Sequence, residues 1–255
     1  MPVLRPAATA LLDLLLPGAC AGCGSPGPPV CDFCQLELVG HASPWQPSPP
    51  PDGLPFCARA AAYDGVARSA LIAFKEHGRA DLAGPLGAAL SSAVSVILGG
   101  ARLPVVLVPV PASPAALRRR GRDHVLQLAR AASRDLRERG TPARVLPLLR
   151  ATRTPADQSG LDASHRLSNV REVFAARPGC TSIGDGLVIL VDDIVTTGAT
   201  AAECASTLAA AGCAVDGVAC AAAAVLRRPA RFSSPAERGR LAREVIATPS
   251  VVSRG

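Results

Sequence analysis

From residue 56 onward, short apolar runs alternate with longer stretches whose apolar positions recur every three or four residues. The first kind predicts strands at Phe56 to Tyr63, Val105 to Val110, Val145 to Leu149, Leu187 to Val191 and Val215 to Ala224. The second predicts helices over Val66 to Glu76, Ala80 to Ile97, most of Ser113 to Glu138, and Ala199 to Ala211, the last stopped by Gly212. The run at Val105 to Val110 is apolar throughout and β-branched, the pattern of a parallel strand covered on both faces. Strands alternating with helices imply an α/β fold, a doubly wound parallel sheet flanked by helices.

The margins of the chain read differently. Residues 41–55, HASPWQPSPPPDGLP, are too rich in proline for helix or sheet and predict a linker, in which Trp45 either packs or is exposed. Residues 151–172 are polar and predict a long loop leading into a helix. Before the linker, Leu11, Leu12, Leu15 and Leu16 recur at helical spacing and predict a short amphipathic helix. Asp13 interrupts that apolar run, and Pro17 is unsuited to a lipoprotein signal anchored at Cys20, so a cleaved leader is not expected. The division predicted is an N-terminal helix and cysteine-rich module over 1–40, a linker over 41–55, an α/β domain over 56–230 and a tail over 231–255. No run reaches the ~18 apolar residues of a membrane helix, so no membrane insertion is expected. A cytoplasmic location follows as an expectation, with thiols rather than disulfides.

Composition adds two constraints. Of 255 residues, 49% are hydrophobic and 18% charged, enough to bury a large core. Aromatics are only 3%, which argues against a stacking platform for single-stranded nucleic acid. The net charge of +7 is carried by arginine, because Lys75 is the only lysine, and it points to anionic partners.

Of nine cysteines, four form two CxxC pairs, Cys20/Cys23 and Cys31/Cys34. Paired CxxC turns present four thiolates tetrahedrally to Zn²⁺, and a full set of cysteines makes the site structural. The intervening loop has no core of its own, so metal would supply its folding free energy. Two disulfides or four unrelated thiols are the alternatives. Cys57, Cys180, Cys204, Cys213 and Cys220 stand singly among small residues and read as buried packing thiols.

The most informative segment is Leu187 to Thr200, VILVDDIVTTGAT after its first leucine. An apolar strand ends in Asp192 and Asp193, a loop of hydroxyls and glycine follows, and a helix begins. Such a loop lies at the carboxyl end of a parallel strand, where α/β folds bind ligands. The helix N-terminus favours an anion, Thr196, Thr197 and Thr200 add hydroxyls, and Gly198 admits close approach. Two acids beside an anion site fit a sugar phosphate, whose hydroxyls donate to carboxylates. A capped strand–turn–helix with surface acids is the alternative.

This segment resembles the phosphoribosyl pyrophosphate (PRPP) motif of type I phosphoribosyltransferases. The chain from about Leu11 to about Ala224 is similar to the ComF family, which carries a four-cysteine knuckle ahead of such a domain. The resemblance includes Phe74-Lys75-Glu76-His77-Gly78, Val108-Pro109-Val110-Pro111 with Arg120-Gly121 downstream, and Gln158 followed by Arg166, Asn169 and Phe174. One departure is that Arg122-Asp123-His124 stands where the family usually has Phe-Asn-Gln.

The resemblance implies a type I phosphoribosyltransferase-like sheet and a Mg²⁺-dependent displacement of pyrophosphate from PRPP by an unknown acceptor. It implies that Asp192 and Asp193 hold ribose hydroxyls and the Mg²⁺ shell. The stretch Ile194, Val195, Thr196, Thr197, Gly198, Ala199, Thr200 would bind PRPP, with the loop from Thr196 to Thr200 taking the 5′-phosphate. Pro111 and Ala112 would approach the pyrophosphate, with Arg153 and Arg166 closing over it. Lys75 is a second candidate for that contact, or a solvated helix end. The arginines of 118–122 read first as a solvated basic face. His77, His124 and His165 read as surface histidines. Relatives are associated with competence and DNA uptake. That leaves a non-catalytic reading, an accessory that binds single-stranded DNA or a helicase through those arginines. A glutamine-using amidophosphoribosyltransferase is disfavoured, because no cysteine stands at the N-terminus.

Overall fold

In the computed structural model the described residues are 18–152, 173–180 and 186–224. The predicted N-terminal helix, the loop 153–172 with Arg153, Gln158, His165, Arg166 and Asn169, and the tail 231–255 lie outside them.

The elements in chain order are α1 (Asp32–Val39), β1 (Ser43–Pro44), β2 (Cys57–Ala62), α2 (Gly65–Lys75), α3 (Ala83–Leu98), β3 (Val105–Pro109), α4 (Pro114–Arg120), α5 (His124–Glu138), β4 (Ala143–Val145), β5 (Leu149–Ala151), β6 (Phe174–Ala176), β7 (Leu187–Val195), α6 (Ala199–Ala210) and β8 (Gly217–Ala223). The main sheet has six strands in the order β1-β2-β8-β7-β3-β4. All its pairs are parallel except β1 with β2. The expected α/β architecture, a mostly parallel sheet flanked by helices, is therefore the one adopted. Strands β5 and β6 form a separate antiparallel pair.

Burial on both faces explains the continuous apolar runs. Val105, Leu107, Ile189 and Val191 face a core shared with Leu71, Phe74, Leu90 and Leu128. Val106, Val108, Val188 and Leu190 face a second core with Cys204 and Leu208 of α6. From β3 the chain passes through α5, on the first face, to β4. From β7 it passes through α6, on the second face, to β8 on the other side. Right-handed crossovers in opposite directions require helices on opposite faces. The direction reverses between β3 and β7, and the carboxyl ends of those two strands flank the crevice where such sheets take ligands.

Several elements depart from expectation. The basic stretch Ser113 to Glu138 is two helices. Gly121, at φ +69°, ends α4, and Asp123 starts α5 by accepting the Leu126 N–H at 2.9 Å. Pro147 splits the predicted strand Val145 to Leu149 between β4 and β5. The segment 41–55 does contribute to the sheet. Ser43 and Pro44 pair with β2 on the outer edge, where proline is tolerated, and Trp45 and Leu54 pack on the second core. The helical run Ala80–Leu98, 19 residues, is long and apolar enough to cross a membrane, contrary to the reading that no run is. Half of its most apolar window is buried here, and it packs along α5 and the sheet.

Candidate functional site

Strand β7 runs to Val195, so Asp192 and Asp193 lie inside it rather than just after it. Its pairing with β3 ends at Val191, opposite Pro109, while pairing with β8 continues to Val195. Both acids therefore sit where β7 has lost its neighbour on the crevice side. The Asp193 N–H donates to Asp192 Oδ1 at 2.8 Å.

The two acids meet different surroundings. Asp193 is buried and accepts Lys75 Nζ at 2.9 Å through Oδ2. Lys75, the last residue of α2, thus reaches the β7–loop–α6 segment from an element more than a hundred residues earlier. Asp192 acts on Cys204 of α6 and Cys220 of β8, whose thiols are pushed up first by burial and then by its charge. Burial raises the Asp192 carboxyl well above its ordinary range. The charge of Asp193 adds to this, and the Asp193 N–H and Lys75 oppose it. Two neighbouring carboxylates thus share one close ammonium.

The loop beyond them has the expected form. Thr196 and Thr197 are exposed, and Gly198 is buried at φ +77° as the residue preceding α6. Thr197 Oγ1 accepts the Ala199 N–H at 3.4 Å, and Thr200 is exposed in the first turn. A Cβ on Gly198 would lie 2.9 Å from Leu54 Cδ2 and 3.2 Å from Pro47 Cγ. Only glycine fits both that backbone and that contact. The proline-rich segment therefore packs on the loop that starts α6. Across the crevice, Pro111 and Ala112 are half-buried, and Ser113 Oγ caps α4 by accepting the Ala116 N–H at 3.2 Å. Ile194 packs on the first core and Val195 on the second.

Two distant motifs meet beside Lys75. Arg120 and Arg119 pair with Glu76 Oε1 at 2.5 Å and 3.7 Å. The Arg120 hydrogen bond is the first cause of the lowered Glu76 pKa. Arg122 Nη2 donates to the Phe74 carbonyl at 2.8 Å, and its guanidinium carbon lies 5.5 Å from the Phe74 ring centre. Three arginines of the basic stretch, Arg119, Arg120 and Arg122, thus contact the end of α2. His124 is also not at the surface: it is buried, edge-on to Phe74 at 5.2 Å and 82°, and accepts Arg122 Nε at 3.1 Å. Burial and the charges of Arg122 and Arg120 lower its pKa, with Asp193 opposing. Its partners are 50 and two residues away, and the near one lent it a misleadingly polar setting. His77 is exposed, as expected.

The ligand atoms of Cys20, Cys23, Cys31 and Cys34 all lie within 4.8 Å of one another, a set that can hold one tetrahedral Zn²⁺. The Cys31 N–H donates to Cys20 Sγ at 3.3 Å. Burial pushes the Cys20 thiol up, but the N–H groups of Cys23, Cys31 and Gly22 outweigh this and bring it to about 6. Cys34 is pushed far up, first by burial and then by the other three thiols. Four thiolates without a cation repel one another, which is the cost a bound divalent metal removes. The cluster is fastened to the domain. Arg79, which pairs with Asp81 at 2.7 Å, donates to the Ala19 carbonyl at 3.1 Å, and Cys34 belongs to the first core. The five remaining cysteines are free and buried, as their settings predict.

No protein-family model matches this chain, and no curated protein matches it significantly.

Proposed function

We propose that this chain is a PRPP-binding, phosphoribosyltransferase-like protein of the ComF type. In this reading it transfers a phosphoribosyl group to an acceptor with Mg²⁺, and the four-cysteine knuckle is a zinc staple. The observation that carries the reading is the convergence at one crevice of three things. These are the adjacent acids Asp192 and Asp193, the hydroxyl-bearing loop that opens α6, and the single lysine, Lys75.

Each part has a chemical task. The Thr196 to Thr200 loop offers N–H groups, hydroxyls and the positive end of α6 to the 5′-phosphate. Asp192 and Asp193 accept hydrogen bonds from the ribose 2′- and 3′-hydroxyls. Their oxygens are also the hard donors Mg²⁺ takes, and two carboxylates sharing one lysine leave room for more positive charge. Mg²⁺, when bound, would neutralise the leaving pyrophosphate. Lys75 and the Pro111–Ala112 turn flank the place where that group would lie. Arg153 and Arg166 complete the proposal as closing cations. Association with DNA uptake is carried by the resemblance alone. With Arg120 and Arg122 engaged internally, the basic stretch offers single-stranded DNA or a helicase less free charge than its sequence suggests.

The test is calorimetric titration with PRPP in the presence and absence of Mg²⁺. Wild type should bind, and Asp192→Asn/Asp193→Asn should lose binding while keeping its circular dichroism. No binding by wild type, or equal binding by the variant, would overturn the reading.

A further inference from the structure

The contacts around Lys75 are bracketed in a way the proposed chemistry does not by itself require. The residue before it, Phe74, is held by Arg122 and His124, and the residue after it, Glu76, is held by Arg120. All three holders come from the turn that joins α4 to α5 and its two flanks: Arg120 ends α4, Arg122 lies in the turn and His124 opens α5. We infer that this turn, through Arg122 and His124, is the positioning device for Lys75. It fixes the ammonium at Asp193 and so sets the affinity of the crevice for a sugar bearing a pyrophosphate. The substrate half of this inference rests on the phosphoribosyl reading; the positioning half does not.

The physical case starts from the end of α2. The last carbonyls of a helix have no partner within it and form its negative end. Phe74 supplies one of these carbonyls, and Arg122 Nη2 satisfies it at 2.8 Å with a cation, the favoured charge there. The same guanidinium lies on the Phe74 ring and donates Nε to His124 Nε2 at 3.1 Å. That bond requires an acceptor nitrogen, so His124 is neutral at Nε2 and its ring edge is free to meet Phe74. One arginine thus fixes the end of the helix, the ring and the imidazole together. Lysine could not, because a point charge cannot make that planar two-way contact.

Each residue of this junction has its own contact. Here Arg122 covers the Phe74 ring, Asp123 caps α5, and His124 supplies the second ring against Phe74. The consequence falls on Lys75. A four-carbon side chain at a helix end has many rotamers, and ordering it costs entropy. With residues 74 and 76 both clamped, the backbone of Lys75 is fixed and its reach to Asp193 is set.

The chain's single lysine makes this measurable without a substrate. The rate at which Lys75 is acylated by an amine-reactive ester, read by peptide mass spectrometry, reports whether its ammonium is held. Asp193→Asn sets the released rate. Arg122→Ala and His124→Ala should raise the rate roughly tenfold, the size of losing one charge-assisted hydrogen bond. Arg122→Phe, which keeps a ring against Phe74 but donates to neither the Phe74 carbonyl nor His124, should raise the rate as well. Arg122→Lys covers the case in which the alanine variant fails to fold, and should still raise the rate. Leu208→Ala, in the core on the opposite face, should not. A wild-type rate in Arg122→Ala and Arg122→Lys overturns the inference. So does an equal rise in Leu208→Ala, which would make the effect one of general loosening. In parallel, Mg²⁺–PRPP affinity should fall in step with the acylation rate. If wild type binds no PRPP while the acylation pattern holds, the phosphoribosyl reading and the affinity half fail and the clamp stands.

Discussion

Lys75 Nζ lies 2.9 Å from Asp193 Oδ2, an ammonium at the end of α2 against a carboxylate inside β7. The side chains are only 21% and 8% exposed, so neither charge is well solvated alone. Removing one partner of such a pair leaves the other buried and uncompensated, at about 3 kcal/mol. Lys75→Met should be the costlier change, because it leaves Asp193 buried beside Asp192 without its ammonium. Lys75→Met/Asp193→Asn should recover much of that loss, giving a coupling of about 1–3 kcal/mol in urea unfolding. Costs that simply add would show that the pair does not interact in solution.

The distribution of what was legible follows from how local each signal is. Four cysteines at two short spacings reveal themselves, because the ligands are neighbours in the chain. So does the strand–loop–helix from Leu187 to Ala210, whose periodicities change within a few residues. The far end of β7 was hidden, since adjacent carboxylates do not look like strand until β8 is seen to pair with Asp192. Ser43 and Pro44 were hidden because proline is excluded from sheets except at an edge, and sequence does not say which strand is an edge. The burial of His124 depends on Phe74, fifty residues earlier, and the pairing of Arg120 on Glu76, forty-four residues earlier. Contacts of that range leave no local trace.

Asp192 predicts a stability gain on neutralisation. Burial and Asp193 raise its carboxyl well above the ordinary value of 3.8, so the fold favours the protonated form. A raised acid leaves stability intact below the unfolded value and erodes it as pH climbs towards the folded one. Asp192→Asn keeps an oxygen for the Asp193 N–H and removes that penalty. Its thermal midpoint should exceed wild type at pH 7.5, and the gain should shrink as pH falls towards 4. A gain that does not change with pH would point to packing rather than charge. The same variant should lose affinity for Mg²⁺–PRPP, so stability and binding move in opposite directions.

Gly198 predicts a cost that separates into two parts. Its φ of +77° penalises any side chain by roughly 1–2 kcal/mol. The added Cβ of alanine would also press on Leu54 and Pro47. Gly198→Ala should therefore destabilise by about 1–3 kcal/mol in chemical denaturation. Leu54→Ala, combined with it, should cost less than the sum of the two changes, because the smaller side chain relieves the steric part alone. Strict additivity would mean that the 41–55 segment does not rest on this loop.

The knuckle predicts one zinc per chain. Its four sulfurs are close enough for a tetrahedral site, and Cys34 is the most deeply placed of them. Cys34→Ser should abolish the metal found by elemental analysis of purified protein, because a hydroxyl is a poor substitute for a thiolate on Zn²⁺. Chelation should lower the thermal midpoint, since Cys20 and Cys34 belong to the first core and Arg79 ties Ala19 to the turn after α2. The main sheet draws its burial from helices on both faces, so its circular dichroism should survive metal loss at 25 °C. Hydrogen exchange should localise the loosening to residues 18–40. Retention of zinc by Cys34→Ser, or exchange rising equally through β3 and β7, would show that the four thiols do not form one structural centre.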